Sequence, residues 1–153
     1  MAFGISAFYI LSSAPDVTLV SVDPYQKTDW KSSGVKLLKT MNYDGKHTLI
    51  TEKSYVAMPD LLQKHGEDSF DFIFIDGFHT FDYTLVDVFY AILLVKTGGV
   101  ILIDDALHRG VAKCVRYIDT NYRFLKKIPS TRTQVAYQKM KNDDREWNFH
   151  ASF

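Results

Sequence analysis

Four acidic side chains follow short apolar runs of the kind that form buried β-strands. They are Asp23, Asp76, Asp104 and Asp105. Ligands of an open α/β sheet bind outside the carboxyl ends of its strands, so these carboxylates are candidates for one binding rim. A single aspartate at a strand end commonly caps the next helix. Three strand ends that each carry an aspartate favour a binding site.

A metal ion would be one use for three of these carboxylates. Asp76 follows the run DFIFI and Asp104 follows VILI. Neighbouring strands lie about 4.8 Å apart, so the two charges would repel unless a proton or a cation lay between them. Asp105 would add a third oxygen, and such a set suits Mg²⁺ or Ca²⁺ better than Zn²⁺. The alternative is that one aspartate contacts a cofactor and another caps a helix.

Two histidines lie close in sequence to these aspartates. His79 follows Asp76 by three residues, and His108 follows Asp105 by three. Imidazole titrates near neutral pH, so either histidine could act as a general base. The alternative for each is an ordinary polar residue of a surface loop.

Asp23 and Gly4 are the positions that suit a nucleoside-like ligand. The carboxylate of Asp23 could accept hydrogen bonds from both hydroxyls of a ribose, although an aspartate before Pro24 also forms turns. Gly4 precedes a helical pattern over residues 5–12. A glycine at that place lets the backbone approach a ligand beside the helix N-terminus.

The predicted elements alternate between strands and helices, which indicates parallel βαβ units and an α/β fold. Predicted strands cover residues 17–23, 47–51, 71–75 and 100–103. Predicted helices cover residues 5–12, 30–41, 55–65, 80–96 and 111–122. Two further strands, at residues 123–128 and 133–139, are separated by a short turn and predict an antiparallel hairpin.

Composition narrows the class of protein. The 153 residues fit one domain over residues 1–153. Acidic and basic residues balance at 18 each, which argues against a nucleic-acid partner. No apolar run approaches the roughly 18–20 residues of a membrane helix, so no membrane partner is expected. The lone Cys114 cannot form an internal disulfide and favours a reducing, cytoplasmic setting.

Two terminal features leave alternatives open. Every charged residue in 123–141 is basic, which is typical of a solvated hairpin and, less often, of an anion or RNA contact. The aromatic residues of the tail, Trp147, Phe149 and Phe153, predict packing on the domain surface or along an edge strand. The alternative for the tail is a lid or a homodimer contact.

Taken in order, these segments resemble the class I S-adenosylmethionine-dependent methyltransferases, and among them the small-molecule O-methyltransferases. DFIFIDGFHTFDYTLVD (residues 71–87) resembles their fourth strand and the loop after it, and GGVILIDD (98–105) their fifth strand. SVDP (21–24) resembles the acidic end of their second strand, and MAFGISAFYI (1–10) half of their glycine-rich first motif. The closing hairpin matches the antiparallel finish of the family.

The resemblance implies a Rossmann-like, doubly wound, mostly parallel sheet that ends in an antiparallel β-hairpin. It implies methyl transfer from S-adenosylmethionine to a hydroxyl of a small molecule, with Mg²⁺ where a metal assists. The residues it places at the cofactor are Gly4 beside the methionine part, Asp23 at the ribose, Ser54 near the adenine, and Asp76. Those it aligns with the metal ligands of Mg²⁺-dependent members are Asp76, Asp104 and Asp105. It places His79 beside the sulfonium, so that His79 or His108 could accept the proton.

The first strand of the family pattern has no counterpart in the sequence. Met1 falls inside the first motif, and the absent strand belongs between the strands that end at Asp23 and Asp76. The chain is therefore expected to be an N-terminally truncated product, a fragment, or a gene model that starts too late. Two rival functions stay open. One is a non-catalytic methyltransferase-like binding module, and the other is a Rossmann-type NAD-dependent oxidoreductase, which predicts a G-x-G-x-x-G turn.

Overall fold

A computed structural model describes all 153 residues of the chain, which separate into two compact units, residues 1–57 and 58–153. The expectation of a single domain over residues 1–153 stays a prediction. None of the helices has both the length and the apolar character needed to cross a membrane.

The first unit contains two parallel strands, with helical segments before, between and after them in the chain. Its elements are α1 (Ile5–Ser12), β1 (Leu19–Val22), α2 (Ser33–Thr40), a 3₁₀ turn (Asp44–Lys46), β2 (His47–Ile50) and the start of α3 (Ser54–His65). The register places Leu19 opposite His47 and Val22 opposite Ile50. A small core of Ala7, Leu11 and Leu38 packs under these elements.

The second unit contains a four-stranded mixed sheet. Its elements after α3 are β3 (Phe70–Ile75), α4 (Phe81–Leu94), β4 (Val95–Ile103), α5 (Arg109–Asn121), β5 (Leu125–Ile128) and β6 (Val135–Lys139). The strand order is β3-β4-β6-β5. β3 and β4 are parallel, whereas β6 is antiparallel to both β4 and β5. This arrangement confirms the predicted α/β class and the antiparallel hairpin that ends the chain's sheet.

The core of the second unit lies between the sheet and helices α4 and α5. Its fully buried members come from the inward faces of these elements and include Val88, Ala91, Ile101, Ile103, Val111 and Ile118. Burial of each valine or isoleucine among them contributes roughly 1.5–3 kcal/mol. The same core fixes the ends of β3, β4 and α5, which bear the candidate site residues.

The boundary between α4 and β4 differs from the prediction. The helix predicted over residues 80–96 ends at Leu94, and β4 begins at Val95. Val95 lies opposite Phe70 of β3, with a register shift before Phe72 pairs with Val100. Residues 95 and 96 therefore belong to a strand, although their local pattern favours a helix, because β4 pairs with β3. The strands that end at Asp23 and Asp76 lie in different sheets.

The C-terminal tail packs on α5. Asn121 exchanges two hydrogen bonds with the backbone of Ala151, at 2.9 and 2.8 Å. The ring of Phe153 lies 5.0 Å from that of Tyr117 and 6.0 Å from that of Phe81. Trp147, in contrast, is 96% exposed. The predicted packing on the domain surface thus describes Phe153 but not Trp147.

Candidate functional site

The ends of β3 and β4 bring two of the predicted carboxylates to the same edge of the second unit's sheet. Ile75 lies opposite Ile103 in the parallel register, so Asp76 and Asp104 leave the sheet side by side. The amide of Asp104 donates a 2.9 Å hydrogen bond to the carbonyl of Ile75, which extends the ladder by one residue. The two strands are therefore neighbours, which is the condition for repulsion between the two carboxylates.

The loop from β4 to α5 is tightly turned. Asp104 Oδ1 accepts a 2.8 Å hydrogen bond from the amide of Asp105. Asp105 has a φ of +52°, a conformation that aspartate tolerates better than most residues. The amide of His108 then donates to the carbonyl of Asp105 at 2.9 Å. This turn directs the Asp105 side chain toward the two histidines.

His79, Asp105 and His108 form one cluster at this edge. His79 Nε2 lies 3.1 Å from Asp105 Oδ2, and His108 Nε2 lies 3.9 Å from Asp105 Oδ1. One nitrogen or oxygen from each residue lies within 4.8 Å of the others. The two imidazole rings stack, with centroids 4.7 Å apart and planes inclined by 28°. Asp76 Oδ1 adjoins the cluster, 3.9 Å from His79 Nε2.

A glycine in α5 holds the two histidine-bearing loops together. A Cβ on Gly110 would lie 2.4 Å from the carbonyl oxygen of His79 and 2.9 Å from the amide nitrogen of Phe81. Only a glycine allows that approach of α5 to the loop after β3. The buried Thr84 fixes the same loop, because its hydroxyl donates to the carbonyls of Thr80 at 2.8 Å and Phe78 at 3.2 Å.

The surroundings of Asp76 disfavour the charged form of its carboxyl. Partial burial of Asp76 raises the pKa of its carboxyl above the ordinary value, and the neighbouring Asp104 charge raises it further. The Asp105 charge acts in the same direction, whereas His79 lowers that pKa. The side chain of Asp76 is still 44% exposed. A cation bound at this edge would relieve the repulsion.

Asp23, in the first unit, is in a different environment. Its side chain is buried, and it accepts hydrogen bonds from the amides of Ala2 and Tyr25 at 3.0 and 2.9 Å and from Gln26 Nε2 at 3.0 Å. Burial alone would raise the pKa of Asp23. The hydrogen bonds from Tyr25 and Gln26 outweigh burial and lower that pKa below the ordinary value.

Gln26 was not predicted as a site residue, although it organises this corner. It is fully buried, donates to the carbonyl of Ala2 at 2.9 Å and accepts from the amide of Gly34 at 3.0 Å. Its spacing of three residues after Asp23 is the only local signal, and that signal is weak.

Gly4 and Ser54 are the remaining predicted cofactor residues. Gly4 has a φ of +85° at the start of α1, and a Cβ there would lie 2.8 Å from Gly34 Cα. The close backbone approach expected at Gly4 is therefore made to Gly34 of the same unit. Ser54 is the half-buried first residue of α3.

Residues 1–106 match a family model described as a methyltransferase domain. A probable caffeoyl-CoA O-methyltransferase 1 from Dictyostelium discoideum is 29% identical over 85 residues, which are 54% of this chain and 35% of that protein. The chain thus spans about a third of the length of that relative.

Three solved structures share the fold. A protein from Corynebacterium glutamicum superposes with a TM-score of 0.72 at 18% identity, over 93% of this chain and 70% of that one. A cofactor-bound protein from MTB gives 0.74 at 15% identity, over 92% and 71%. The O-methyltransferase from Bacillus cereus in complex with SAH gives 0.63 at 14% identity, over 80% and 63%. These likenesses confirm the predicted Rossmann-like fold class.

Proposed function

Since the chain belongs to the methyltransferase-domain family, we propose that it transfers the methyl group of S-adenosylmethionine to a hydroxyl of a small molecule. The observation that supports this best is the cluster of His79, Asp105 and His108 at the carboxyl ends of β3 and β4. Ligands of open α/β folds bind at that edge. The O-methyltransferases among the similar proteins support the hydroxyl acceptor.

The chemistry requires little beyond positioning and removal of one proton. The methyl group on a sulfonium is already activated, so the enzyme must place the acceptor oxygen in line and accept its proton. His79 and His108 are the candidates for that base, and the Asp105 carboxylate faces both imidazoles at 3.1 and 3.9 Å. A divalent ion at this edge would lower the pKa of the acceptor hydroxyl. The carboxylates and imidazoles present there are suitable donors for such an ion.

Each unit offers cofactor contacts of its own. In the first unit, Asp23 would receive the ribose hydroxyls, which would take the acceptor positions on Oδ2 now used by Ala2 and Gln26. Gly4 would lie beside the methionine part and Ser54 near the adenine. In the second unit, Asp76 would serve either the cofactor or the metal. A homodimer and a cytoplasmic setting stay predictions.

Two titrations and one assay test the proposal. We expect calorimetry of the whole chain to show one site for S-adenosylmethionine and none for NAD. We also expect labelled methyl transfer to one or more members of a panel of catechol and sugar hydroxyls. Binding of NAD alone would instead identify the oxidoreductase alternative. Binding of S-adenosylmethionine with no transfer to any acceptor would favour the non-catalytic binding module.

A further inference from the structure

We propose that His79, Asp105 and His108 bind a divalent transition-metal ion of the Zn²⁺, Co²⁺ and Fe²⁺ class, in preference to Mg²⁺. The inference deepens the proposed function, because it names the metal class for the same site and rests on methyl transfer for its biological use. Its test needs no methyl transfer.

The spacing of the three side chains suits a small ion. Zinc binds histidine nitrogen and carboxylate oxygen at about 2.0–2.2 Å, which places neighbouring ligand atoms of a tetrahedral site about 3.3 Å apart. His79 Nε2 and Asp105 Oδ2 already lie 3.1 Å apart. His108 Nε2 lies 3.9 Å from Asp105 Oδ1, and its side chain is 57% exposed. A small rotation of that exposed side chain would complete the three-ligand face.

The second observation is an unsatisfied atom at the centre of the cluster. His79 Nε2 is withdrawn from solvent and makes no hydrogen bond, although carboxylate oxygens of Asp105 and Asp76 lie 3.1 and 3.9 Å away. A buried polar atom without a hydrogen bond calls for an explanation such as a bound ion. A metal at this position would give His79 Nε2 the partner that hydrogen bonding does not supply.

The kinds of ligand decide the metal class. Mg²⁺ prefers oxygen ligands and keeps several waters, whereas imidazole suits Zn²⁺, Fe²⁺ and related ions. Two histidines with one carboxylate leave coordination positions open, and an acceptor hydroxyl could occupy one of them. The metal would then contact the oxygen that receives the methyl group and lower the pKa of its hydroxyl, a role that would replace proton removal by either histidine.

The predicted three-aspartate site is less well supported by these contacts. Asp104 Oδ1 is used by the amide of Asp105 within the turn. Asp76 lies beside the cluster, where it would add negative charge around the metal. Of the three aspartates, Asp105 alone belongs to the cluster.

Titration of the metal-free whole chain with Co²⁺, followed by visible absorption, tests the inference. We expect one Co²⁺ per chain, displacement by Zn²⁺, and Mg²⁺ affinity at least 100-fold weaker by calorimetry. His108→Ala and His79→Gln should each weaken Co²⁺ binding at least tenfold. His150→Ala, which removes an exposed histidine of the tail, is the matched control and should bind Co²⁺ like the parent chain.

Asp104→Asn separates the two ligand sets, because an amide oxygen can keep the hydrogen bond within the turn. Unchanged Co²⁺ affinity in Asp104→Asn supports the histidine set. The inference is overturned if Mg²⁺ binds as tightly as Co²⁺, or if both histidine variants bind Co²⁺ like the parent chain. Circular dichroism checks that each variant is folded. Titration of the same samples with S-adenosylmethionine reports separately on the proposed function.

Discussion

Asp23 and Asp105 both follow β-strands, yet the structure uses their carboxylates in opposite ways. Asp23 is buried, and its two oxygens accept hydrogen bonds from Ala2, Tyr25 and Gln26. Asp105 is half-buried and faces two imidazoles at 3.1 and 3.9 Å. A strand-end aspartate is therefore not a ligand site by position alone. What distinguishes the two is whether the protein's own donors already satisfy the carboxylate.

The difference has a simple energetic basis. Hydrogen bonds from backbone amides stabilise a buried carboxylate and make it part of the folded structure. A carboxylate among other carboxylates and imidazoles, in contrast, remains able to exchange a partner for a ligand or cation. We therefore expect Asp23 to contribute to stability as well as to the proposed ribose contact, and Asp105 to contribute mainly to activity.

The largest expected effect is a loss of catalytic activity in the Asp105→Asn variant. Asparagine tolerates the positive φ of this position, so the fold should persist while the charge that faces both imidazoles is lost. We expect methyl transfer to fall about 100-fold, with S-adenosylmethionine affinity changed less than about threefold. Asp71→Asn, at an 85% exposed side chain paired with Lys96, is the matched control. Equal losses of activity and affinity would make Asp105 a structural residue.

We expect a smaller effect from Asp23→Ala, which should lower the stability of the fold. Removing the carboxylate leaves the Ala2 and Tyr25 amides and one N–H of the buried Gln26 side chain without an acceptor, which should lower the free energy of unfolding by about 2 kcal/mol. Urea unfolding followed by circular dichroism measures this change. Asp71→Ala should change the unfolding free energy by less than about 0.5 kcal/mol. A similar, small change in both variants would contradict the structural role of Asp23.

The smallest expected effect is on the pH dependence of stability, to which Asp23 and Asp76 contribute with opposite signs. The lowered pKa of Asp23 means that its stabilisation is present above the ordinary value of 3.8 and is lost as pH falls through the folded pKa. The raised pKa of Asp76 has the reverse sign, because the folded state binds that proton more tightly. The contribution of Asp76 to stability therefore falls as pH rises from 3.8 through the pKa of folded Asp76.

Urea midpoints of the parent chain, Asp23→Asn and Asp76→Asn between about pH 3 and about pH 6 measure these slopes. Asp23→Asn should flatten the rise of stability with pH, and Asp76→Asn should steepen it. The Asp76 effect should be well under about 1 kcal/mol, because the side chain is partly exposed and solvent screens its neighbours. The same slope in both variants would remove the distinction between the two carboxylates.

The periodicity of apolar residues predicted most of the secondary structure. Helix α1 and strand β3 lie where the pattern places them, because their apolar spacing matches a helix turn and a buried strand. Helix α4 ends two residues earlier than the pattern predicts, since only pairing with Phe70 makes Val95 a strand residue. The run of basic residues over 123–141 gave no indication that Lys139 is buried. Its ammonium donates hydrogen bonds to Asp68 and to the carbonyls of Ile92 and Val95. Those partners are 44 to 71 residues distant.

The sequence by itself determined the alternation of strands and helices, the family resemblance and the edge of the sheet at which acidic residues gather. These follow from local spacing, which sets where each strand ends. Only the tertiary structure decided that Asp23 is satisfied by Ala2 and Gln26 while Asp105 meets His79 and His108. Those contacts depend on close approaches such as that of Gly110 to His79. Packing between segments that are distant in sequence sets these contacts, and no local pattern encodes that packing.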